Sequence, residues 1–256
     1  MRQSSKLVVI TRTTAGNRSW QKQLEAQGLL VYCLPTIETV ALPLTTELSS
    51  VLNHLAEYDW LILTSATSAR FMQKLAEQAG LRLPTQDIRV AAVGEQTARA
   101  ARAAGLRVAF RPSKADSATL CAEIPPVQGS HILIPRTTIA SEELAVALES
   151  RGARVTSLPI YETRTIDTPD TNFTELLRDN LVGYLTFASP SAVRGFSKRV
   201  TAPYMQKAHQ LPAIAIGHSV AVALSSAGFQ QVHVSGTPTI DGIIKTLRQL
   251  IGYSNS

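Results

Sequence analysis

The chain carries the same set of motifs twice, about 124 positions apart. The first copy returns in the second as the following pairs: Arg12 and Arg136, Gly28 and Gly152, Pro35 and Pro159, Glu38 and Glu162, Ser65 and Ser189, Gly94 and Gly217. A period this long exceeds the repeats of solenoid proteins, so the repeated unit is a whole α/β domain. Two similar domains enclose a cleft, and clefts between domains bind small ligands. We therefore expect the function to lie at such a cleft.

Each copy alternates short apolar runs with helical segments. Predicted strands in the second copy lie near 131–134, 155–158, 183–187, 213–216 and 231–234, and predicted helices near 142–151, 172–180, 191–200, 219–227 and 240–250. Strand–helix alternation with continuously apolar strands predicts parallel sheets covered on both faces. The sequence thus predicts two flavodoxin-like α/β domains. The most similar segments outside the glycines, 34–38 and 158–162, are candidates for strands that cross between the domains.

Composition limits the class of partner. The net charge of +6 favours an anionic partner, but the Lys and Arg residues are scattered, so we expect a small polyanion and no nucleic acid. No apolar run approaches the roughly 20 residues that span a membrane, and the start is too short for a signal peptide. Cys33 and Cys121 are far apart and are interpreted as reduced thiols. These features predict a cytoplasmic protein with no membrane association.

Small hydroxyl residues follow the predicted strands where ligands bind in parallel sheets. In the two copies they are Thr64, Ser65, Thr97, Ser189, Ser191 and Ser219. Helix starts of this kind expose N–H groups to which the helix dipole attracts anions. Ordinary N-capping is the alternative for each loop. Arg12 and Arg136 end the first strand of each copy, where they either clamp carboxylates or are solvated surface arginines.

The usual catalytic signatures do not occur. There is no Gly-rich dinucleotide motif, no P-loop and no nucleophile elbow, and the five histidines have no metal-ligand spacing. Only His218, directly after Gly217, is placed for chemistry at a strand end. If the chain is an enzyme, its chemistry needs little acid–base catalysis, no cofactor and no metal.

Taken together, these motifs resemble the uroporphyrinogen-III synthase family. The matching segments are Thr11-Arg12, 34–38, 59–65, 93–98, 155–162 and 187–189. The resemblance covers nearly the whole chain, from residue 7 to about residue 250. It implies domains formed by 1–36 with 161–256 and by 39–158, joined by a two-stranded antiparallel linker at 35–38 and 159–162. It also places the active site in the cleft.

The resemblance implies a cofactor-free lyase that cyclises hydroxymethylbilane to uroporphyrinogen III, inverting ring D with loss of water. Such a polycarboxylate substrate agrees with a basic protein. Tyr161 matches the family's tyrosine that hydrogen-bonds the departing hydroxyl; the alternative is a tyrosine that only packs in the linker. The resemblance further implies a monomer, with possible transient contact with the preceding pathway enzyme.

One loop departs from the family pattern. Where the family has hydroxyl residues after the second glycine turn, this chain has His218, Ser219 and Val220, so only one hydroxyl remains. The main alternative function is a non-catalytic two-domain binding protein that closes on an anionic metabolite. A nucleotide-dependent α/β enzyme is a further alternative, which the missing phosphate-binding loop disfavours.

Overall fold

The structure is a computed structural model that describes residues 6–81, 83 and 88–252. The chain divides into two compact units: residues 1–39 with 163–256 (unit 1), and residues 40–162 (unit 2). These boundaries lie within four residues of the domain limits given above. Residues 1–5 and 253–256 of the predicted first domain, and 82 and 84–87 of the second, lie outside the described residues.

Strands and helices alternate along most of the chain. The strands are β1 (Leu7–Ile10), β2 (Val31–Cys33), β3 (Ile37–Ala41), β4 (Trp60–Leu63), β5 (Arg89–Ala92), β6 (Val108–Phe110), β7 (His131–Thr137), β8 (Arg154–Thr165), β9 (Val182–Phe187), β10 (Ala213–Ala215) and β11 (Val232–Val234). The α-helices are α1 (Thr14–Glu25), α2 (Thr46–Asn53), α3 (Ala66–Gln78), α4 (Glu95–Ala103), α5 (Ser117–Glu123), α6 (Glu143–Glu149), α7 (Thr171–Arg178), α8 (Pro190–Arg199), α9 (Ala202–His209), α10 (His218–Ser226) and α11 (Ile240–Ile251). A short 3₁₀ helix covers Leu55–Glu57.

Unit 1 contains a parallel sheet in the order β11-β10-β9-β1-β2. Successive residues of β1 point to opposite faces. Val8 and Ile10 pack with Trp20 of α1 on one face, whereas Val9 packs with Phe196 of α8 on the other. Helices therefore cover both faces, as the apolar strands predict. The carboxyl ends of the strands lead into helix N-termini.

Unit 2 contains a sheet in the order β3-β8-β7-β4-β5-β6, in which the strands from β8 to β6 are parallel. The same alternation holds in β4. Leu61 and Leu63 pack with Met72 of α3, and Trp60 and Ile62 belong to the core on the opposite face. The central strand β4 is buried along its whole length, so the loop after Leu63 is held by a rigid element.

The strands β3 and β8 are the predicted crossover strands. The Leu42 N–H donates to the Ile160 carbonyl, and the Ile166 N–H donates to the Thr36 carbonyl, each at 3.0 Å. Because the partners advance in opposite directions along the two segments, the pair is antiparallel. The segment 158–162 lies inside β8, whereas β3 begins only at Ile37, after a Pro35 that has no N–H to donate.

The structure differs from the sequence predictions in local details. The helices α2 and α9 were not predicted. The sequence predicts a short helix capped by Ser117, whereas the cap of α5 is Asp116, whose carboxylate accepts from the Thr119 N–H at 2.7 Å. Arg136 is the second-last residue of β7 and Arg12 lies two residues after β1, so both are within two residues of a strand end. Within the described part of the chain, no helix has the length and apolar character that crossing a membrane requires.

Candidate functional site

Ser65 begins helix α3 directly after the buried strand β4. Its backbone is extended (φ −149°, ψ 154°), and its Oγ accepts from the Ser68 N–H at 3.0 Å. This is the N-cap geometry that satisfies an otherwise unpaired helix N–H. The Ser68 hydroxyl, which is fully buried, lies 2.9 Å from Ser65 Oγ. The capping alternative therefore holds for Ser65, and the same hydroxyl also takes part in a cluster of side-chain oxygens.

Tyr161 of β8 joins this cluster. Its phenol oxygen is 3.3 Å from Ser65 Oγ, and its ring stacks on Phe71 of α3 with the centroids 5.1 Å apart and the planes 10° apart. The side chain is buried, with 7% exposed. A distance of 3.3 Å is long for a bond between two hydroxyl groups, so the phenol is held mainly by its ring. Its O–H can turn to another acceptor at small cost.

A further hydroxyl lies on the neighbouring strand. Thr137 of β7 is the register partner of Tyr161, and its Oγ1 is buried with no hydrogen-bond partner among the described residues. Buried polar atoms normally have a partner. The edge of unit 2 that carries Tyr161 and Ser65 therefore retains unused hydrogen-bonding capacity.

Arg136 is bound by its neighbours. Its Nε donates to Ser157 Oγ at 2.7 Å and its Nη1 donates to the Thr137 carbonyl at 3.1 Å, while its Nη2 pairs with the Glu142 carboxylate. The Ser157 hydroxyl donates to the second oxygen of Glu142 at 2.6 Å. A cavity of about 180 Å³, also lined by Thr64, opens beside these groups. Arg136 and Thr64 thus line the same cavity, and the arginine is already paired with a carboxylate of the protein.

Thr97 lies in the first turn of α4, which begins at Gly94. Its side chain is buried, with 6% exposed, and its position in the repeat corresponds to Val220. The preceding Glu95 is exposed and pairs with Arg99 at 3.0 Å and with Arg111 at 2.5 Å. These arginines lower the pKa of Glu95, the Arg99 hydrogen bond most of all.

Arg12 in unit 1 has no carboxylate partner within the described residues. Its guanidinium lies over the Trp20 ring, 4.6 Å from the centroid, and its Nη1 donates to the Gly16 carbonyl at 3.4 Å. Its backbone N–H donates to Asn17 Oδ1 at 2.9 Å, which fixes the start of α1. Partial burial lowers the pKa of Arg12, although a guanidinium stays protonated in proteins. The cation is available to an incoming anion.

Ser189 has the same place in unit 1 as Ser65 in unit 2. It caps α8, with Oγ accepting from the Ala192 N–H at 3.2 Å, and it lies 2.9 Å from the Ser191 hydroxyl. The capping function is therefore common to both copies. Each cap also has a second serine hydroxyl within hydrogen-bond distance.

The loop after β10 presents His218 and Ser219 to solvent. Gly217 is the N-cap of α10 and provides no side-chain cap, and the next two residues begin the helix with exposed side chains. Val220 is buried in the core, with 2% exposed. The position where the family pattern has a further hydroxyl thus faces the interior of unit 1.

Threonines missed by the sequence analysis fix the edge of unit 1. Thr11 donates to the Thr186 carbonyl at 2.7 Å, Thr36 donates to the Thr11 carbonyl at 2.7 Å, and Thr186 donates to the Val9 carbonyl at 2.9 Å. All three threonines are fully buried. They join the carboxyl ends of neighbouring strands beside Arg12. The available signal was a threonine inside or directly beside an apolar strand.

The described residues contain no group of three or more His, Cys, Asp or Glu side chains placed to hold a metal ion. The groups assembled at the strand ends are hydroxyls, helix N–H groups and arginines. This set binds anions and donates hydrogen bonds.

The comparisons with known proteins agree with one another. The family model described as uroporphyrinogen-III synthase HemD matches residues 18–245. A chloroplastic uroporphyrinogen-III synthase from Oryza sativa subsp. japonica is 30% identical over an alignment of 254 residues that covers 95% of this chain and 80% of that protein. A uroporphyrinogen-III synthase from Synechococcus elongatus is 29% identical over 193 residues, 75% of this chain and 73% of the relative.

A solved structure shows the same fold. The uroporphyrinogen-III synthetase of Helicobacter pylori 26695 superposes with a TM-score of 0.61 at 18% identity, covering 96% of this chain and 99% of that one. The predicted α/β fold is thereby confirmed. From the match of the family model along most of its length, the chain belongs to the uroporphyrinogen-III synthase family.

Proposed function

We propose that this chain closes hydroxymethylbilane to uroporphyrinogen III in tetrapyrrole biosynthesis, with inversion of ring D and loss of water. One observation carries the proposal beyond family membership. The Tyr161 phenol lies 3.3 Å from Ser65 Oγ at the strand-end edge of unit 2, where helix α3 begins. A buried hydroxyl donor at the edge where parallel sheets bind ligands is suited to a reaction that loses a hydroxyl group.

The chemistry that we propose begins with departure of the substrate's hydroxyl. The adjacent pyrrole nitrogen supplies the electron pair that expels it and loses its N–H proton, so an azafulvene forms and the hydroxide and the proton leave together as water. The Tyr161 O–H donates a hydrogen bond to the departing oxygen as negative charge develops there. The azafulvene is then attacked by the substituted carbon of ring D. The resulting spiro intermediate fragments and recloses with ring D inverted. The substrate supplies all the electrons, so we propose a cofactor-free lyase.

Substrate binding is proposed to use the strand-end groups of both units. Arg12 presents a guanidinium that lies over Trp20 and has no carboxylate partner among the described residues. The N-termini of α3, α4, α8 and α10 present backbone N–H groups beside Ser65, Thr97, Ser189 and Ser219. Each of these features attracts carboxylates. The protein's contribution is orientation: it holds the flexible chain so that the inverted product forms and not the uninverted isomer.

The test is the isomer ratio of the product. Hydroxymethylbilane is generated in situ, the protein is added, and the oxidised uroporphyrin isomers are separated. We expect mainly isomer III. Mainly isomer I, formed at the spontaneous rate, would refute the activity and favour the non-catalytic binding protein. The monomeric state and the cytoplasmic location stay predictions; light scattering on the purified chain tests the former.

A further inference from the structure

The Arg136–Glu142 pair in unit 2 has an asymmetry that points to a function. The Arg136 side chain is 14% exposed, whereas that of Glu142 is 49% exposed. Arg136 belongs to strand β7, and Glu142 precedes helix α6 at the end of the loop that follows β7. The arginine is therefore the fixed partner, and the glutamate side chain can leave for solvent without unpacking a core.

The arginine keeps its place without the glutamate. Its Nε bond to Ser157 and its Nη1 bond to the Thr137 carbonyl go to neutral groups on β8 and β7. With Glu142 turned away, Nη2 of Arg136 and the Ser157 hydroxyl are both donors without an acceptor. Two donors directed at one carboxylate make a strong, oriented binding site. The site is formed before any ligand arrives.

The adjoining cavity has the size for one side arm of a ligand. Its volume of about 180 Å³ is lined by Thr64, Ser117, Arg136, Ser141, Glu142 and Ser157 among others. Pockets that enclose a whole drug-sized ligand measure roughly 300–1,000 Å³. A tetrapyrrole chain does not fit in this space, but an acetate or propionate arm does. The arginine and hydroxyl groups in the lining agree with a carboxylate at the tip of that arm.

We propose that Arg136 and Ser157 form a binding subsite for one carboxylate arm of the substrate, and that Glu142 occupies this subsite until the substrate displaces it. The proposal rests on the proposed function, since it takes hydroxymethylbilane as the ligand. Glu142 serves as an internal competitor. It keeps the partly buried arginine neutralised in the free protein, and it weakens the binding of any ligand that cannot replace its two hydrogen bonds.

The test compares Glu142→Gln with Glu143→Gln. The first substitution keeps the shape of the side chain and weakens its hold on Arg136, because a neutral acceptor bonds a guanidinium less strongly than a carboxylate does. The second removes the same charge from the same cavity wall. Glu143 forms no ion pair with Arg136. We expect E142Q to lower KM about fivefold with kcat nearly unchanged, the upper range for a partly exposed ion pair, and E143Q to change KM less than about twofold.

An unchanged or raised KM in E142Q would overturn the proposal, and so would an equal fall in E143Q. If the Arg136–Glu142 pair only stabilises the fold, E142Q should have a lower melting temperature and no gain in affinity for the substrate. A second readout does not depend on activity: sodium propionate, compared with sodium chloride at the same ionic strength, should raise the melting temperature of E142Q more than that of the parent or E143Q.

The two proposals fail in different ways. If the parent forms no isomer III but propionate stabilises E142Q selectively, the subsite stands and the proposed reaction fails. If the parent forms isomer III and propionate stabilises all three proteins equally, the reaction stands and the subsite fails.

Discussion

The substitution Tyr161→Phe tests whether the Tyr161 hydroxyl has a catalytic or only a structural function. The ring of Tyr161 is buried and stacked on Phe71, and phenylalanine keeps both of these interactions. The substitution removes only the phenol oxygen and its bond to Ser65, which at 3.3 Å is long. A typical hydrogen bond contributes about 0.5–1.5 kcal/mol, so we expect a loss of unfolding free energy below about 1 kcal/mol. The variant should fold.

The effect on the reaction should be far larger. If the phenol donates to the departing hydroxyl, the bond strengthens as charge develops, and such positioned donors contribute roughly 10²-fold or more. An interaction made only in the transition state lowers kcat and kcat/KM by the same factor. We expect both to fall about 100-fold, with the affinity for the product nearly unchanged. The assay follows isomer III formation from hydroxymethylbilane, and urea unfolding measures stability.

The chain offers a matched control in Tyr58. Its side chain is also 7% exposed, it belongs to the same core of unit 2, and its hydroxyl donates to Thr156 Oγ1 at 3.2 Å. It precedes β4 and therefore lies at the amino edge of the sheet, away from the ligand-binding edge. Tyr58→Phe should lose similar stability and keep full activity. Equal kcat values for the two variants would refute the assignment of Tyr161.

Three further predictions concern packing, pH and the substrate. A Cβ on Gly195 would lie 2.1 Å from the Thr36 carbonyl oxygen, so Gly195→Ala should lower the free energy of unfolding by about 3 kcal/mol. A Cβ on Gly236 would have no atom within 4 Å, so Gly236→Ala should change that free energy by less than about 0.5 kcal/mol in urea unfolding. Burial and a bond to a carboxylate raise the pKa of Tyr32 to about 12. Because the folded state binds the phenolic proton more tightly, its contribution to stability is complete below about pH 10 and is lost as the pH rises towards 12; absorbance titration that finds an ordinary phenol pKa would contradict this. Thr97→Val should change stability by less than about 1 kcal/mol, since the hydroxyl makes no hydrogen bond to the described residues; an unchanged KM would remove Thr97 from the set of substrate-binding residues.

The parts of the fold that depend on local pattern were predictable. Strand β4 was predictable because its four residues are all apolar, which is typical of a buried strand. The start of α4 at Gly94 was predictable because a glycine directly follows an apolar run. The repeat then extends each assignment to the second copy, as for the caps Ser65 and Ser189. Helices α2 and α9 were not predicted, and Pro203 near the start of α9 is equally typical of a turn.

The pairing at the candidate site was not predictable from local pattern. Glu142 is a glutamate in a polar loop, and nothing in its neighbourhood indicates that its carboxylate binds Arg136. Ser157 lies in β8, two residues before Pro159, which is the register partner of Arg136. The contact between Tyr161 and Ser65 likewise joins residues far apart in sequence. Such contacts follow from sheet order and register, which only the folded chain determines.

The two arginines of the repeat show why matching residues need not be equivalent. In unit 1, helix α1 begins at Thr14, directly after the cap that follows Arg12, and no loop of the described residues brings a carboxylate to that arginine. In unit 2, residues 138–142 precede helix α6 and bring Glu142 to Arg136. We therefore expect a substrate carboxylate to bind Arg12 without displacing a carboxylate of the described residues, and to reach Arg136 only by breaking the pair with Glu142. We expect Arg12 to attract the substrate's carboxylates at long range. We expect Arg136 to select an arm of the right length, because only a carboxylate that binds both Arg136 and Ser157 offsets the loss of Glu142.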